Sequence, residues 1–297
     1  MSSLKPEYIY QPGRLLGRLA GKNDRASKTA LTGYGFPMDV MPDELISNSI
    51  RRKGMYDIVT AEAIYRLLDP KAHAIDAGAH VGLMSALMAL RVGAEGRVSS
   101  FEPHPVVYAM LRANAARLNQ AFGTEVIRTY NLALSDETRW ATLYLPSDWA
   151  ANTGVARLDA PPNAAAVETP VECGTLDESA IDERAELMKL DVEGHELAVL
   201  RGAPRMLTGV RDIVFEDFGT YPTPAMLLLE QQGFRVFALF RTLFRPILMG
   251  PDRRGMPEKA DPNYLATRDP ERARQRFKPS GWQVLRRLFP PHVAAPL

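Results

Sequence analysis

Two acids and two glycines carry the most specific chemistry of this chain. In residues 73–82, HAIDAGAHVG, an apolar run reaches Asp76, and Gly78 and Gly82 follow at a four-residue step. Glycine gives a tight strand-to-helix turn its freedom in φ and leaves room for a ligand against the backbone. A dinucleotide site would place G-x-G-x-x-G here, so that a pyrophosphate rests on the helix N-terminus. The wider glycine step fits that poorly, and a carboxylate at the strand tip repels a pyrophosphate while attracting an ammonium. S-adenosylmethionine, with an α-amino group and a sulfonium, suits such an acid. The plainer alternative is an ordinary turn whose acid caps the helix.

A second acid follows 26 residues later, as Glu102 in FEPHP. It ends a second strand-like run, Arg97 to Phe101, where Rossmann-like sheets grip ribose hydroxyls. Pro103 fixes the chain just after it. The alternative is a solvated acid favoured at a helix start by the helix dipole.

A third segment, MKLDVEGHE over residues 188–196, sets three acids and a histidine into six residues after a buried strand. Asp191 can hold an amino group or orient a substrate hydroxyl. Glu193 or His195 can accept the proton that a nucleophile loses in a group transfer. A helix N-terminus decorated with acids, with His195 on the surface, would read the same way. Asp191 together with Glu216 and Asp217, at adjacent strand ends, would also suit an octahedral Mg²⁺ holding a sugar diol. Two acids facing water is the competing reading.

The elements that must position these residues alternate. Strand-like runs at 73–77, 97–101, 124–134, 187–190, 212–215 and 234–240 are separated by helical ones at 61–68, 83–88, 106–118, 196–207 and 222–232, while 140–145 and 168–173 read as short strands. Such alternation predicts a mostly parallel sheet covered on both faces, a three-layer αβα sandwich whose ligands lie at the carboxyl ends of the strands. Residues 146–162 read as a flap over that crevice. Trp149, Phe218 and Tyr221 are aromatics that could stack on a ring or simply pack.

Composition bounds the rest. The chain has 297 residues, 46% hydrophobic and 24% charged, with a net charge of +1, which gives no reason to expect a nucleic-acid partner. One cysteine, Cys173, excludes an intramolecular disulfide framework. The first residues lack an apolar signal-peptide core and no run spans a bilayer, so the expectation is a cytoplasmic protein. Three parts are expected: an N-terminal extension over 1–55 serving as a lid or dimer contact, a core over 56–250, and a Pro/Arg-rich tail over 251–297 packing on the core. The tail carries ten Lys and Arg against five acids, net +5, leaving −4 for the remainder. Whether the chain forms a homo-oligomer stays open.

Taken together, AIDAGAHVG, SSFEPHP, NLALSD and MKLDVEGHELAVLRGA resemble the FkbM-type S-adenosylmethionine-dependent methyltransferases over roughly residues 43–240. The resemblance implies a class I methyltransferase fold, α/β, with a seven-stranded Rossmann-like sheet and a reversed last strand. It implies cofactor contacts at Asp76, Gly78, Ala79, His80, Gly82, Glu102 and Pro103, with Asn131 and Ala133 beside the adenine. His80 departs from the asparagine frequent at that position in the family. The implied activity is in-line transfer of a methyl group to a hydroxyl of a sugar or small natural product, with a carboxyl acceptor or a non-catalytic nucleotide-binding module as alternatives. Mg²⁺ is an optional second cofactor. A nicotinamide oxidoreductase lacks its glycine triplet here, and a nucleic-acid methyltransferase its Asn-Pro-Pro-Tyr type motif.

Overall fold

A computed structural model describes residues 5–19, 28–146, 156–158, 166–179, 184–255 and 261–286. The lead-in forms helices α1 (Pro6–Tyr10) and α2 (Pro12–Leu19), a hairpin of β1 (Thr29–Leu31) and β2 (Pro37–Asp39), and α3 (Leu45–Lys53). Then follow α4 (Ile58–Leu67), β3 (His73–Ala77), α5 (Leu83–Val92), β4 (Arg97–Phe101), α6 (Pro105–Phe122) and β5 (Ile127–Tyr130). Next come β6 (Ala133–Leu134), β7 (Arg139–Pro146), β8 (Ala166–Gly174), β9 (Leu187–Leu190), α7 (Glu196–Arg201), α8 (Pro204–Gly209) and β10 (Asp212–Glu216). The chain continues with α9 (Pro224–Gln231), β11 (Arg235–Arg241), β12 (Pro246–Met249), β13 (Asn263–Thr267) and α10 (Pro270–Phe277).

Eight strands make the central sheet, in the order β12-β11-β13-β10-β9-β3-β4-β5. From β10 to β5 every neighbouring pair is parallel. Strand β13 runs antiparallel to both β10 and β11, and β12 turns back antiparallel on β11. This is the Rossmann-like sheet of a class I methyltransferase with its reversed strand, and it has one strand more than the seven expected. The extra strand is the return arm of a tight turn in which Thr242 donates to the Arg245 carbonyl.

Strand alternation sends neighbouring side chains to opposite faces. Ala74, Val98, Leu187 and Val214 join a core under α4, α5 and α6, and Ile75, Phe101, Met188 and Ile213 join another under α7, α8 and α9. Both faces are therefore covered, which is why these strands read as continuous apolar runs.

Several expected boundaries move. The single run 124–134 splits into β5 in the central sheet and β6 in a separate three-stranded sheet with β8 and β7. The helix expected over 196–207 breaks into α7 and α8, because Gly202 packs its Cα against the Ser135 carbonyl and Pro204 starts a new helix. The core does not end at residue 250: the reversed strand β13 comes from the segment expected to be tail. Beyond it Trp282 is fully buried and donates Nε1–H to the Leu243 carbonyl, while Glu62 accepts from Val284 N. Among the described residues, no helix is long and apolar enough to cross a membrane.

Candidate functional site

The carboxyl ends of β3, β4, β9, β10 and β11, with the start of the reversed β13, form one rim of the sheet. The turn after β3 is built around Gly78, whose φ is +75°. A Cβ there would stand 1.8 Å from the carbonyl oxygen of Asp191, so only glycine lets the end of β9 press onto the turn. Gly78 N and Ala79 N both donate to the Phe101 carbonyl, at 3.0 and 2.8 Å, and lock the turn to β4. Gly82, at φ +92°, opens α5 and lies under Leu111 of α6.

Glu102 is the keystone of this end. Its Oε2 accepts from His80 N at 3.0 Å and its Oε1 from His104 N at 2.9 Å, so one carboxylate ties the β3 turn to the β4 turn. Burial pushes its carboxyl up to about 7, against the two backbone donors that favour the charged form. Each oxygen keeps a further lone pair, which suits it to accept from vicinal hydroxyls.

The cavity beside Glu102 has a volume of about 480 Å³, within the usual range for small-molecule sites. Gly78, His80 and Pro103 line it near the turns, and Phe101, Leu132, Ala133, Leu134 and Leu143 give an apolar wall. An apolar slot with a diol-accepting carboxylate at its edge fits an adenosine moiety. The His80 imidazole, held by burial down to about 4, is neutral there at pH 7.

The same cavity collects acids. Asp191, Glu193, His195 and Glu216 line it together with Tyr56 and Asp57. Burial, then the charges of Asp191 and neighbouring acids, push Glu193 up to about 7 and Glu216 up to about 8. Burial and the same carboxylates push the Tyr56 phenol up to about 12. His195 shares a 2.9 Å hydrogen bond between its Nε2 and Ser135 Oγ. Glu196 turns back to accept from Val192 N and Gly194 N, which shapes the loop carrying Glu193. Backbone strain gathers here: Asp57, His80 and Glu193 line the cavity and are three of the six non-glycine residues at positive φ among the described residues.

Asp76, expected at the cofactor, lies behind the cavity wall. Its side chain is fully buried and does not line the cavity. Being one residue short of the strand end, it projects across the sheet face, level with Lys189 on β9 and Ser100 on β4. Its Oδ2 accepts from Ser85 Oγ at 2.6 Å, and its Oδ1 stands 3.4 Å from Lys189 Nζ. Lys189 also stands 3.4 Å from Asp191 Oδ2 and donates to the Gly78 carbonyl at 2.6 Å. Burial opposes the Lys189 charge, but Asp191 and Asp76 more than offset it and hold the ammonium above the ordinary lysine range. The ammonium that Asp76 holds is thus the protein's own.

Ala79 is buried, and Asn131 is exposed but braces Glu102 and Pro103 by donating to both carbonyls at 2.9 Å. Asp191 and Glu216 share the cavity, whereas Asp217 caps its own turn by accepting from Gly219 N and Thr223 Oγ1. The three carboxylates therefore do not converge, and among the described residues no His, Cys, Asp or Glu group is arranged to hold a metal. Phe218 lines the cavity, Tyr221 instead donates to Glu230, and Trp149 lies outside the described residues. Sequence reasoning gave no role to Lys189, Tyr56, Asp57 or Asn263. Asn263 donates to both Asp57 oxygens, and the sign of it in sequence was a polar residue starting an apolar run.

A family model described as the methyltransferase FkbM domain matches residues 76–236. Comparison with curated protein sequences gives no significant match. Among solved structures, the chain is similar to the methyltransferase FkbM of Methylobacillus flagellatus, with 16% identity and a TM-score of 0.42, covering 66% of this chain and 43% of that one. It is also similar to an S-adenosylmethionine-dependent O-methyltransferase of Thermotoga maritima, with 15% identity, a TM-score of 0.42, and coverage of 72% and 65%. A magnesium protoporphyrin IX methyltransferase of Synechocystis, solved with bound S-adenosylmethionine, gives 11% identity and a TM-score of 0.39 over 90% and 99%. The chain thus spans less than half the length of the Methylobacillus protein and just under two thirds of the Thermotoga protein. The domain match takes in more than half of this sequence, from Asp76 through Val236, and on that ground the chain belongs to the FkbM family of methyltransferases.

Proposed function

We propose that this chain transfers a methyl group from S-adenosylmethionine to a hydroxyl of a sugar or small natural-product acceptor. The observation that carries the reading is the pairing, in one cavity, of a braced carboxylate suited to ribose with an acid whose proton affinity is set near neutrality. Glu102 accepts the two ribose hydroxyls on the lone pairs left by His80 N and His104 N. The wall of Phe101, Ala133 and Leu143 takes the adenine. The partly exposed carboxylate of Asp191, next to the Gly78 turn, faces the amino group in place of the buried Asp76.

Bound S-adenosylmethionine supplies a methyl carbon activated by its sulfonium. The residues do the remainder. Alignment of the acceptor oxygen behind that carbon supplies much of the acceleration. Glu193, poised near 7, takes the hydroxyl proton at its carboxylate oxygen, which is the match to working pH that general base catalysis favours. Glu216, near 8, is largely protonated at pH 7 and donates to an acceptor oxygen. The concentration of acids disfavours a carboxylate at the point of transfer, which supports the hydroxyl over the carboxyl acceptor.

Purified protein titrated with S-adenosylmethionine, with NAD as control, tests the cofactor. Labelled S-adenosylmethionine with a panel of polyols, sugars and carboxylic acids, with and without chelator, tests the acceptor. Label transfer to hydroxyl compounds, indifferent to chelator, is the expected result. Transfer only to carboxylic acids, or none with any acceptor despite cofactor binding, removes the reading.

A further inference from the structure

The end of the cavity under the lead-in has a different character. Lys5 and Glu7 of the lead-in, Lys53 at the end of α3, and Arg241 at the end of β11 line it. Glu7 is almost fully buried, and Lys53 Nζ stands 3.8 Å from its Oε1. The other oxygen of Glu7 has no hydrogen-bond partner among the described residues, so this buried carboxylate depends on Lys53 for its neutralisation. Lys5 and Arg241 both act on Lys53 as neighbouring positive charges, and Asp261, which also lines the cavity, acts on it as an acid alongside Glu7. Neither Lys5 nor Arg241 has an ion-pair or side-chain hydrogen-bond partner among the described residues. The contrast with the opposite rim is direct. There Arg211 and Arg272 meet the buried Asp212 at 2.9 and 3.2 Å, and Asp69 takes Arg272 and Arg276. The protein pairs its half-buried arginines at that rim and leaves Arg241 open in the cavity wall.

We propose that Arg241 and Lys5, flanking the Lys53–Glu7 pair, form a subsite for an anionic group, a phosphate or a carboxylate, carried by the methyl acceptor at a distance from the hydroxyl that is methylated. This rests on the methyltransferase reading and narrows it to acceptors that are hydroxylated at one end and anionic at the other. A planar guanidinium presents two parallel N–H donors that match either oxyanion, and a lysine adds a point charge. The Asp191 carboxylate, whose charge raises Glu193 and Glu216, repels the same group, so the two charge fields together orient the acceptor.

Calorimetric titration of the full chain, saturated with S-adenosylmethionine, with inorganic pyrophosphate and separately with malonate tests this. Binding of at least one probe is expected, weakened roughly tenfold or more by Arg241→Gln and less by Arg241→Lys, as loss of a charge-assisted pair predicts. S-adenosylmethionine affinity should be the same in all variants. Stronger pyrophosphate binding identifies a phosphorylated acceptor, and stronger malonate binding a carboxylated one. Cofactor binding with no affinity for either anion, or anion binding indifferent to Arg241→Gln and Lys5→Gln, overturns the subsite and leaves the methyltransferase reading standing. Anion binding that depends on Arg241 in a protein that ignores S-adenosylmethionine keeps the subsite and removes the reading beneath it.

Discussion

Lys189 Nζ lies 3.4 Å from Asp76 Oδ1, directly across two parallel strands and sealed from solvent beneath the glycine turn. The pair makes the acid of the turn part of the frame. Lys189 in turn holds the Gly78 carbonyl and Asp191, so the turn after β3 and the loop after β9 share one ammonium.

Removing that ammonium should be severe. Lys189→Met leaves Asp76 buried without its counter-charge, and truncating one partner of a buried pair costs about 3–5 kcal/mol. Urea denaturation measures it. Lys189→Met combined with Asp76→Asn should recover part of the loss, and a double variant no better than the single one would deny the coupling.

Gly78→Ala tests the approach of β9 to the turn. A methyl group 1.8 Å from a backbone oxygen, at φ +75°, forces the strands apart. A loss of at least about 3 kcal/mol is expected, since overlap with backbone cannot relax through a rotamer. Thermal melts and cofactor titration on the same sample read both consequences, and an unchanged melt contradicts the geometry.

These two residues show what the sequence made legible. The glycine turn and the acid before it stand out because an apolar run stops abruptly at them. The direction of Asp76 does not, because being one residue short of the strand end rotates a side chain from the rim to the sheet face. Lys189 was visible as one polar residue in LMKL, but its partner lies 113 positions away, and single-sequence periodicity carries no pairing. Strand β13 was hidden for the same reason. Its apolar run Tyr264–Ala266 is plain, yet it pairs with β10 and β11, while its proline- and arginine-rich surroundings read as a tail. Glu102 was legible as a strand-end acid, and its bracing by His80 N was not.

The acids of the cavity should destabilise the fold as pH rises. Glu216 is raised from its ordinary carboxyl range to about 8, so the folded protein holds a proton that the unfolded chain releases near 4.5. Its contribution to stability is fully present below about 4.5 and is lost as pH climbs to about 8. Glu216→Gln should therefore melt like the parent near pH 4.5 and higher than the parent above pH 8. Solvent screening at this half-buried site keeps the gain to about 1 kcal/mol, roughly 2–4 °C in a domain of this size. A constant difference across pH would contradict the assignment.

Turnover should follow Glu193. With its carboxyl near 7, kcat/KM for a hydroxyl acceptor rises with pH through about 7 and levels off above it. Glu193→Gln should lower kcat by roughly 10²–10⁴-fold and flatten that limb, leaving cofactor affinity in place. If the limb persists in the variant, another group accepts the proton, and His195, bonded to Ser135, is the next to test.

On the proposed reading the cavity beside Glu102 holds the adenosyl moiety of S-adenosylmethionine. Calorimetric titration of the parent and Glu102→Gln with that ligand tests it most directly. Saturable one-to-one binding is expected in the parent, with an affinity about 10–100-fold weaker in the variant, the scale of charge-assisted hydrogen bonds to the ribose. Equal affinity in the two proteins, or no binding by the folded parent, contradicts it.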